Sequence, residues 1–503
     1  MKKLIFSGLF LASSLMARDL HICTYTDITG FDPHDTNDAP SYGVQSGIFE
    51  RLFEFDKDMK LLPKLAKSYS ANHDATEFVI ELREGIFFHD DSPFDAEVVK
   101  ANIDRLKDQS KGLKRNTLLK MVSEVKVINP YKVMIRLDES FGAFINTLAH
   151  PAVAMHSLAS LEKDASHIRL NPVGTGPFKL VSWESGKSIK LEKFANYHEQ
   201  GWPKVDNVYL RPYSEDASRV AGLRAGQCDA IYPLPSDLLE TVQKDPKLEA
   251  INSTSIYMTF ITLNTRKAPT NNLSLRQALN YAIDKDLWLK VIYQNLGTVA
   301  SAPIAPGVQF YSPQKDPYKY NPKKAQELLA QAGFKDGLSL SLWTSNQSVN
   351  IKSAQFIKQQ LNKIGVKVEI EPMDSGTRNE RVWAVKDPEL ASSAMVYTGW
   401  GSSTSDADWA LRPLFATESF VPKSYNVAYF SNKDTDLALQ EGLATADLAK
   451  RQAAYDRAQK SIWDNAPAIF LGSPDHLLGQ KKGLSGVHIL ADLTLIYSKA
   501  QFK

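Results

Sequence analysis

The stretch "EFVIELREG", Glu77 to Gly85, alternates apolar and polar positions with a period of two and so predicts a half-buried strand. "DDSP" breaks that pattern, and Asp95 then caps a helix whose apolar positions are Val98, Val99, Ile103 and Leu106. "VKVINPYKVMIRLD" reads as a hairpin turning at Asn129-Pro130. "LRQALNYAIDKDLWLKVIY" and "NPKKAQELLAQAG" carry helical spacing, the second opened by Asn321-Pro322 and ended at Gly333. Beyond them, "LSLSLWTS" predicts a strand, "SAQFIKQQLNKIG" a helix ended at Gly365, and "VKVEIEPMD" the next strand. That βαβ unit is the clearest doubly wound element. "DLHICTYTD" predicts a buried strand running into the Gly/Pro-rich loop "ITGFDPHDTNDAP". Elsewhere strands and helices alternate without a regular βαβ rhythm, which points to mixed α/β domains.

In doubly wound sheets ligands sit at the carboxyl ends of strands. The loops beginning at Thr344 and Met373, and the one after Val396-Tyr397, are therefore candidate ligand walls. The last opens "VYTGWGSSTSDADWALRPLF", in which large rings frame a run of small residues and two aspartates, Asp406 and Asp408. Either the rings are core and the loop caps a helix, or the segment lines a binding site.

At 503 residues the chain is too long for one ordinary core, so two or three domains are expected. Residues 1–17, "MKKLIFSGLFLASSLMA", have the basic start, short apolar run and small final residue of a cleaved export signal. No later segment approaches the ~20 apolar residues of a membrane span. Loss of Lys2 and Lys3 takes the formal charge from +2 to 0. A neutral chain with interspersed signs gives no electrostatic reason to expect nucleic acid or anionic lipid. Cys23 and Cys228 can pair in an oxidising compartment.

Catalytic motifs are missing: there is no G-x-S-x-G elbow, H-E-x-x-H, Walker loop or C-x-x-C. "NPVGTGPFKLVSW" lacks the Gly-Lys-Ser/Thr ending of a phosphate loop and reads as a tight crossing into a strand. His34 sits among Asp32, Asp35 and Asp38 in what reads as a solvated turn, and His476 in "GSPDHLLG" stands alone. The chain is not expected to be an enzyme or to carry a cofactor or metal.

Taken together, "FDPHDTND", "LREGIFFHDDSPFDAEVVKANIDR", "NPVGTGPFKL", "LRQALNYAIDK", "YNPKKAQELLAQAG" and "YTGWGSSTSDADWALRPLF" resemble the large periplasmic solute-binding proteins of peptide-type ABC importers. "MDSGTR" with the last of these is closest to the glutathione-binding branch. The resemblance implies an α/β, two-lobed periplasmic-binding-protein fold of class II type, with mixed sheets, a hinge and an inserted domain. Residues 18–47, 176–264 and 476–503 would form the first lobe, 48–175 the insertion and 265–475 the second lobe. The first strand and "AGQCDAIYPL" then share a lobe, which implies a Cys23–Cys228 disulfide.

The implied function is capture of glutathione or a similar short peptide between the lobes of a periplasmic monomer, for delivery to a membrane permease. General di- or oligopeptide binding is the alternative within the family. Nickel-chelate or haem capture, needing histidines such as His476 to converge, is the alternative outside it. In dipeptide and oligopeptide binders the position matching Ser403 carries an aspartate that grips the peptide ammonium, so here Asp406 or Asp408 is expected to take that role while the other caps a helix. Arg378 is the expected carboxylate clamp, with Arg115 as a second candidate. Tyr397 and Trp400 would supply flat walls, Ser403 and Thr404 close backbone contacts, and Tyr25 and Thr26 contacts from the opposite lobe.

Overall fold

The computed structural model describes residues 18–316, 318–385, 391 and 393–503. The segment read as an export signal, residues 1–17, lies outside the described residues. Two large sheets organise the rest. The first has seven strands, in the order Leu248–Ser253, His476–Lys481, Ala230–Tyr232, Asp19–Thr24, Asn207–Pro212, Ser188–Lys193 and Phe178–Glu184. The second has six, in the order Gly297–Val299, Ala468–Pro474, Tyr257–Leu263, Met395–Gly401, Leu338–Ser345 and Val366–Met373. Both are mixed: Asp19–Thr24 runs parallel to both its neighbours, and Leu338–Ser345 pairs parallel with Val366–Met373 over eight residues. Helix Ser348–Asn362 connects that parallel pair, as its spacing predicts. Among the described residues no helix is long and apolar enough to cross a membrane.

A four-stranded antiparallel sheet, Ala66–Ala71, Glu77–Leu82, Lys132–Leu137 and Val122–Asn129, lies wholly within the stretch expected to be inserted. Asp95 caps helix Ala96–Lys107 by accepting from the backbone N–H groups of Glu97 and Val98. The chain enters and leaves this part through two segments pressed together: Gly176 N donates to Ile48 O at 2.8 Å and Phe178 N to Gly47 O at 2.9 Å. A Cβ at Gly176 would stand 2.6 Å from the Ile48 carbonyl carbon. The glycines of "GTGPF" are thus required by close backbone approach.

The chain passes between the large sheets at two adjacent points. Leu248–Ser253 leads through residues 254–256 into Tyr257–Leu263, and Ala468–Pro474 leads through Asp475 into His476–Lys481. These runs are antiparallel neighbours on both sides, with Ser253 opposite His476 in one sheet and Thr259 opposite Gly472 in the other. The lobe boundary expected at 264/265 therefore falls a strand too late: Tyr257–Leu263 is hydrogen-bonded within the six-stranded sheet.

Asp19–Thr24 is buried on both faces. Leu20 and Ile22 face one cluster, with Val208, Leu210 and Leu478, whereas Cys23 faces another with Val220, Leu223 and Ile231. In the second cluster Cys23 and Cys228 form a disulfide, with Cα atoms 5.8 Å apart and a sequence separation of 205. On the chain-entropy account, a cross-link closing so long a loop contributes roughly 5 kcal/mol. Replacing both cysteines by serine should therefore lower the unfolding free energy by several kcal/mol in urea titrations of the oxidised protein. A change under ~1 kcal/mol would mean that the disulfide does not restrain the unfolded chain.

Candidate ligand-binding cleft

A cleft of about 720 Å³ opens between the two large sheets, beside the paired crossings. One wall is the loop after Ala230–Tyr232, with Pro233, Leu234 and Ser236, together with Leu477 and Leu493. The other is built from the six-stranded sheet: Tyr257 and Thr259 from one strand, Tyr397 and Thr398 from the next, and Ser345 at the end of a third. This is the carboxyl-end location expected from the βαβ unit, and the volume suits a ligand of small-peptide size. Across the mouth, Gln294 Nε2 donates to Ser236 O at 2.8 Å, and Lys352 lies 3.8 Å from Asp237. Leu296 crosses to pack on the cluster that holds the disulfide.

Arg378 ends the short helix Ser375–Arg378, whose first turn is held by Asp374: its Oδ1 accepts from Gly376 N and Thr377 N, and its Oδ2 from the Thr377 hydroxyl. One guanidinium nitrogen donates to Tyr397 O at 2.8 Å, and the guanidinium carbon lies 4.9 Å from the centre of the Trp383 ring. Its Nε is buried without a hydrogen-bond partner, and no carboxylate among the described residues forms an ion pair with it. Burial lowers its pKa from the ordinary arginine range. It remains a cation whose spare donors line a cavity.

The strand Met395–Gly401 borders the cleft at Tyr397 and Thr398, but the Tyr397 ring, expected as a flat wall, is packed in the core and 2 % exposed. Gly399 serves its neighbour: a Cβ there would lie 2.5 Å from Tyr257 Cζ and 2.6 Å from its hydroxyl. The Tyr257 ring thus lies across bare backbone and stays 40 % exposed to the cleft, although Tyr257 sits at the start of an otherwise buried strand. Trp400 does not line the cleft. Its indole N–H donates to Trp409 O at 2.7 Å, and its ring packs against Tyr425, 4.8 Å between centres.

The loop that follows is dry. Ser402, Thr404 and Ser405 are buried; Thr404 O accepts from Asn146 Nδ2, and the Ser405 hydroxyl donates to Met59 O, so the loop packs against the four-stranded part. Ser403 is half-buried, its N–H bonded to Gly401 O, and neither it nor Thr404 reaches the cleft. Asp406 is wholly buried, caps helix Ala407–Phe415 through Asp408 N, and pairs at 2.9 Å with Arg451, itself 1 % exposed. Asp408 pairs with Arg412 at 2.9 Å, one helical turn away. The expectation that one of the two aspartates stays free for a ligand is therefore corrected: each is neutralised by its own arginine within the core.

Arg115 bonds the carbonyls of Thr36 and Asn37 and the Tyr42 hydroxyl, away from the cleft. Tyr25 packs edge-on to Tyr232 and Thr26 is exposed, and neither lines the cleft. His476 does line the cleft, with Nε2 3.3 Å from Ala491 O, and burial pushes its pKa down to about 4. Two clusters elsewhere have metal-like spacing, Asp32 with His34 and His156, and Glu50 with His198 and Glu199. A basic side chain already occupies each: Arg105 bonds Asp32 and His34, and Lys64 pairs with Glu50 and Glu199. The turn read as solvated around His34 is in fact buried by that network.

Two lining residues escape sequence reading. Tyr257 begins a strand in "TSIYMTF" like any amphipathic residue, and only the diagonal glycine explains its ring. Asp475 interrupts two strands at the second crossing. Its Oδ2 accepts from Asn252 Nδ2 at 2.7 Å, and burial raises its pKa.

A cleft between two sheets, bordered by a double crossing and charged only at isolated points, defines a two-lobed solute-binding protein. The chain belongs to the bacterial extracellular solute-binding proteins, family 5, whose family description matches residues 60–420. Members of this family are substrate-binding proteins of ABC transporters and not enzymes. The glutathione-binding protein GsiB of Pectobacterium atrosepticum is 39 % identical over 96 % of this chain and 94 % of its own length. GsiB of Escherichia coli K12 is 38 % identical over 99 % and 97 %. HbpA2 from Haemophilus parasuis shares the fold, with a TM-score of 0.85 at 24 % identity over 96 % of this chain and all of its own.

The buried pair of Asp406 and Arg451 carries a stability prediction. Arg451→Ala leaves Asp406 uncompensated in the core and should cost about 3–5 kcal/mol. Denaturant titration measures this, and a loss below ~1 kcal/mol, as for an exposed pair, would contradict the burial.

Proposed function

We propose that this chain is a periplasmic, monomeric receptor that captures glutathione or a similar short peptide in the cleft and presents it to the permease of an ABC importer. The observation that carries this reading is Arg378, a desolvated guanidinium with unused donors on the cleft wall. Its planar fork suits a carboxylate bidentately. Glutathione brings two carboxylates and one ammonium. The second carboxylate fits the first turn of helix Ser348–Asn362, where Gln347, Val349 and Asn350 line the cleft and no side chain caps the backbone N–H groups. Tyr257 and Trp383 supply flat walls for the peptide backbone. The GsiB relatives support glutathione as the ligand, and the signal-like residues 1–17 with the Cys23–Cys228 disulfide support an oxidising, extracytoplasmic location. A nickel or haem ligand is not supported, because His476 has no second histidine beside it among the lining residues.

Losing one partner of a desolvated charge pair costs ~2–5 kcal/mol, so Arg378→Ala should weaken glutathione binding by roughly 30- to 4,000-fold with little change in melting temperature. Titration calorimetry with reduced glutathione, oxidised glutathione and Ala-Ala checks it. Binding of Ala-Ala but of neither glutathione form would keep the receptor and discard the ligand; no binding of any of them by folded protein would discard the receptor.

Gly399→Ala should push the Tyr257 ring into the cleft. Overpacking of this kind costs about 1–3 kcal/mol, and because the ring can yield toward open space, the cost should appear as a loss of affinity of roughly tenfold or more with a near-native melting curve. Unchanged affinity would remove Tyr257 from the binding wall.

A further inference from the structure

Among the described residues that line the cleft, Asp475 is the single carboxylate and Arg378 the single arginine or lysine. The two acids expected to meet a ligand are committed elsewhere: Asp406 to Arg451 and Asp408 to Arg412. Asp475 forms no ion pair with a described residue, and its one side-chain partner, Asn252, is neutral. That amide takes Oδ2, and no described side chain donates to Oδ1. The backbone is held as well, since Asp475 N donates to Leu296 O at 3.3 Å.

Resting on the receptor reading above, we infer that Asp475 is the acceptor for a primary ammonium on the ligand, so that the cleft reads an amino-acid-type zwitterion with Asp475 on the cation and Arg378 on an anion. An ammonium has three donors and needs an ionised acceptor with a free lone pair, and a carboxylate tied to a neutral amide provides one without losing its charge. Asp475 is the residue by which one strand passes from one large sheet to the other. A ligand held there touches the joint between the lobes as well as the Arg378 wall, and so has an interaction available only when both are in place.

The test is calorimetry of the wild-type protein and Asp475→Asn with reduced glutathione and with glutathione acetylated on its amine. Acetylation should weaken binding to wild type by about tenfold or more, and Asp475→Asn should weaken binding of unmodified glutathione by a similar factor. The variant should also bind the two ligands within about threefold of each other, as expected when the group that reads the amine is gone. Equal binding of both ligands by wild type, or a variant that still discriminates between them, would overturn the inference while leaving the receptor intact. Wild type that binds neither glutathione nor Ala-Ala would overturn the receptor reading and this inference with it. The acetylated ligand tests the wild-type protein directly, so a poorly folding variant does not shield the inference.

Discussion

The two large sheets are joined by a single two-stranded ribbon, and the geometry of the cleft follows from it. Before the crossing, Ser253 pairs with His476; after it, Thr259 pairs with Gly472. Rotation between the sheets is thereby confined to residues 254–256 and Asp475, a few positions able to absorb changes in backbone angle while the ladders on either side stay intact. Tyr257 begins immediately after one crossing, and His476 immediately after the other. Two side chains that line the cleft are thus mounted at the joint itself, where a small rotation moves them relative to both walls.

The chain uses its buried charges in two ways. Asp406 and Arg451 are removed from water and neutralise each other, and Arg451 also donates to Gly442 O and lies over the Phe310 ring. Such a pair fixes which elements meet, here the capped helix and the long helix Leu448–Asn465, and neither side chain lines the cleft. Arg378 is partly desolvated in the same manner but given only a carbonyl and an aromatic face. A cation with unused donors in a recess is costly, and a carboxylate entering the cleft would relieve that cost. The Asp374-capped turn and the Trp383 ring hold the guanidinium in place beforehand, so less ordering is left to be done on binding.

Local periodicity made much of this fold legible. The hairpin at Asn129-Pro130, the Asp95 cap and the parallel unit of Leu338–Ser345 and Val366–Met373 all follow from spacing and turn chemistry within twenty or thirty residues. The sequence "GSSTSDAD" misled for the complementary reason. Small polar residues read as a wet loop unless a distant surface covers them, and the cover comes from Met59, Asn146 and Arg451. None of these is detectable from the loop's own composition. The position of Arg378 beside the cleft was legible because it follows a strand in a doubly wound unit. Tyr257 and Asp475 were not, since one depends on a glycine in the neighbouring strand and the other on lying between two sheets.

Closure itself depends on what the mouth contacts can supply. The exposed Lys352–Asp237 pair is worth about 0–1 kcal/mol, and the hydrogen bond from Gln294 to Ser236 about 0.5–1.5 kcal/mol. With the packing of Leu296 these favour apposed lobes only modestly, against the freedom that the ribbon would otherwise retain. A ligand bound to one wall alone adds nothing to that balance, because its affinity is the same whether the lobes are apart or together. Only a molecule that spans from Arg378 to the opposite lobe stabilises the closed form in proportion to its own binding. Selectivity for a ligand of the right length and charge, and commitment to the conformation that encloses it, therefore come from the same contacts.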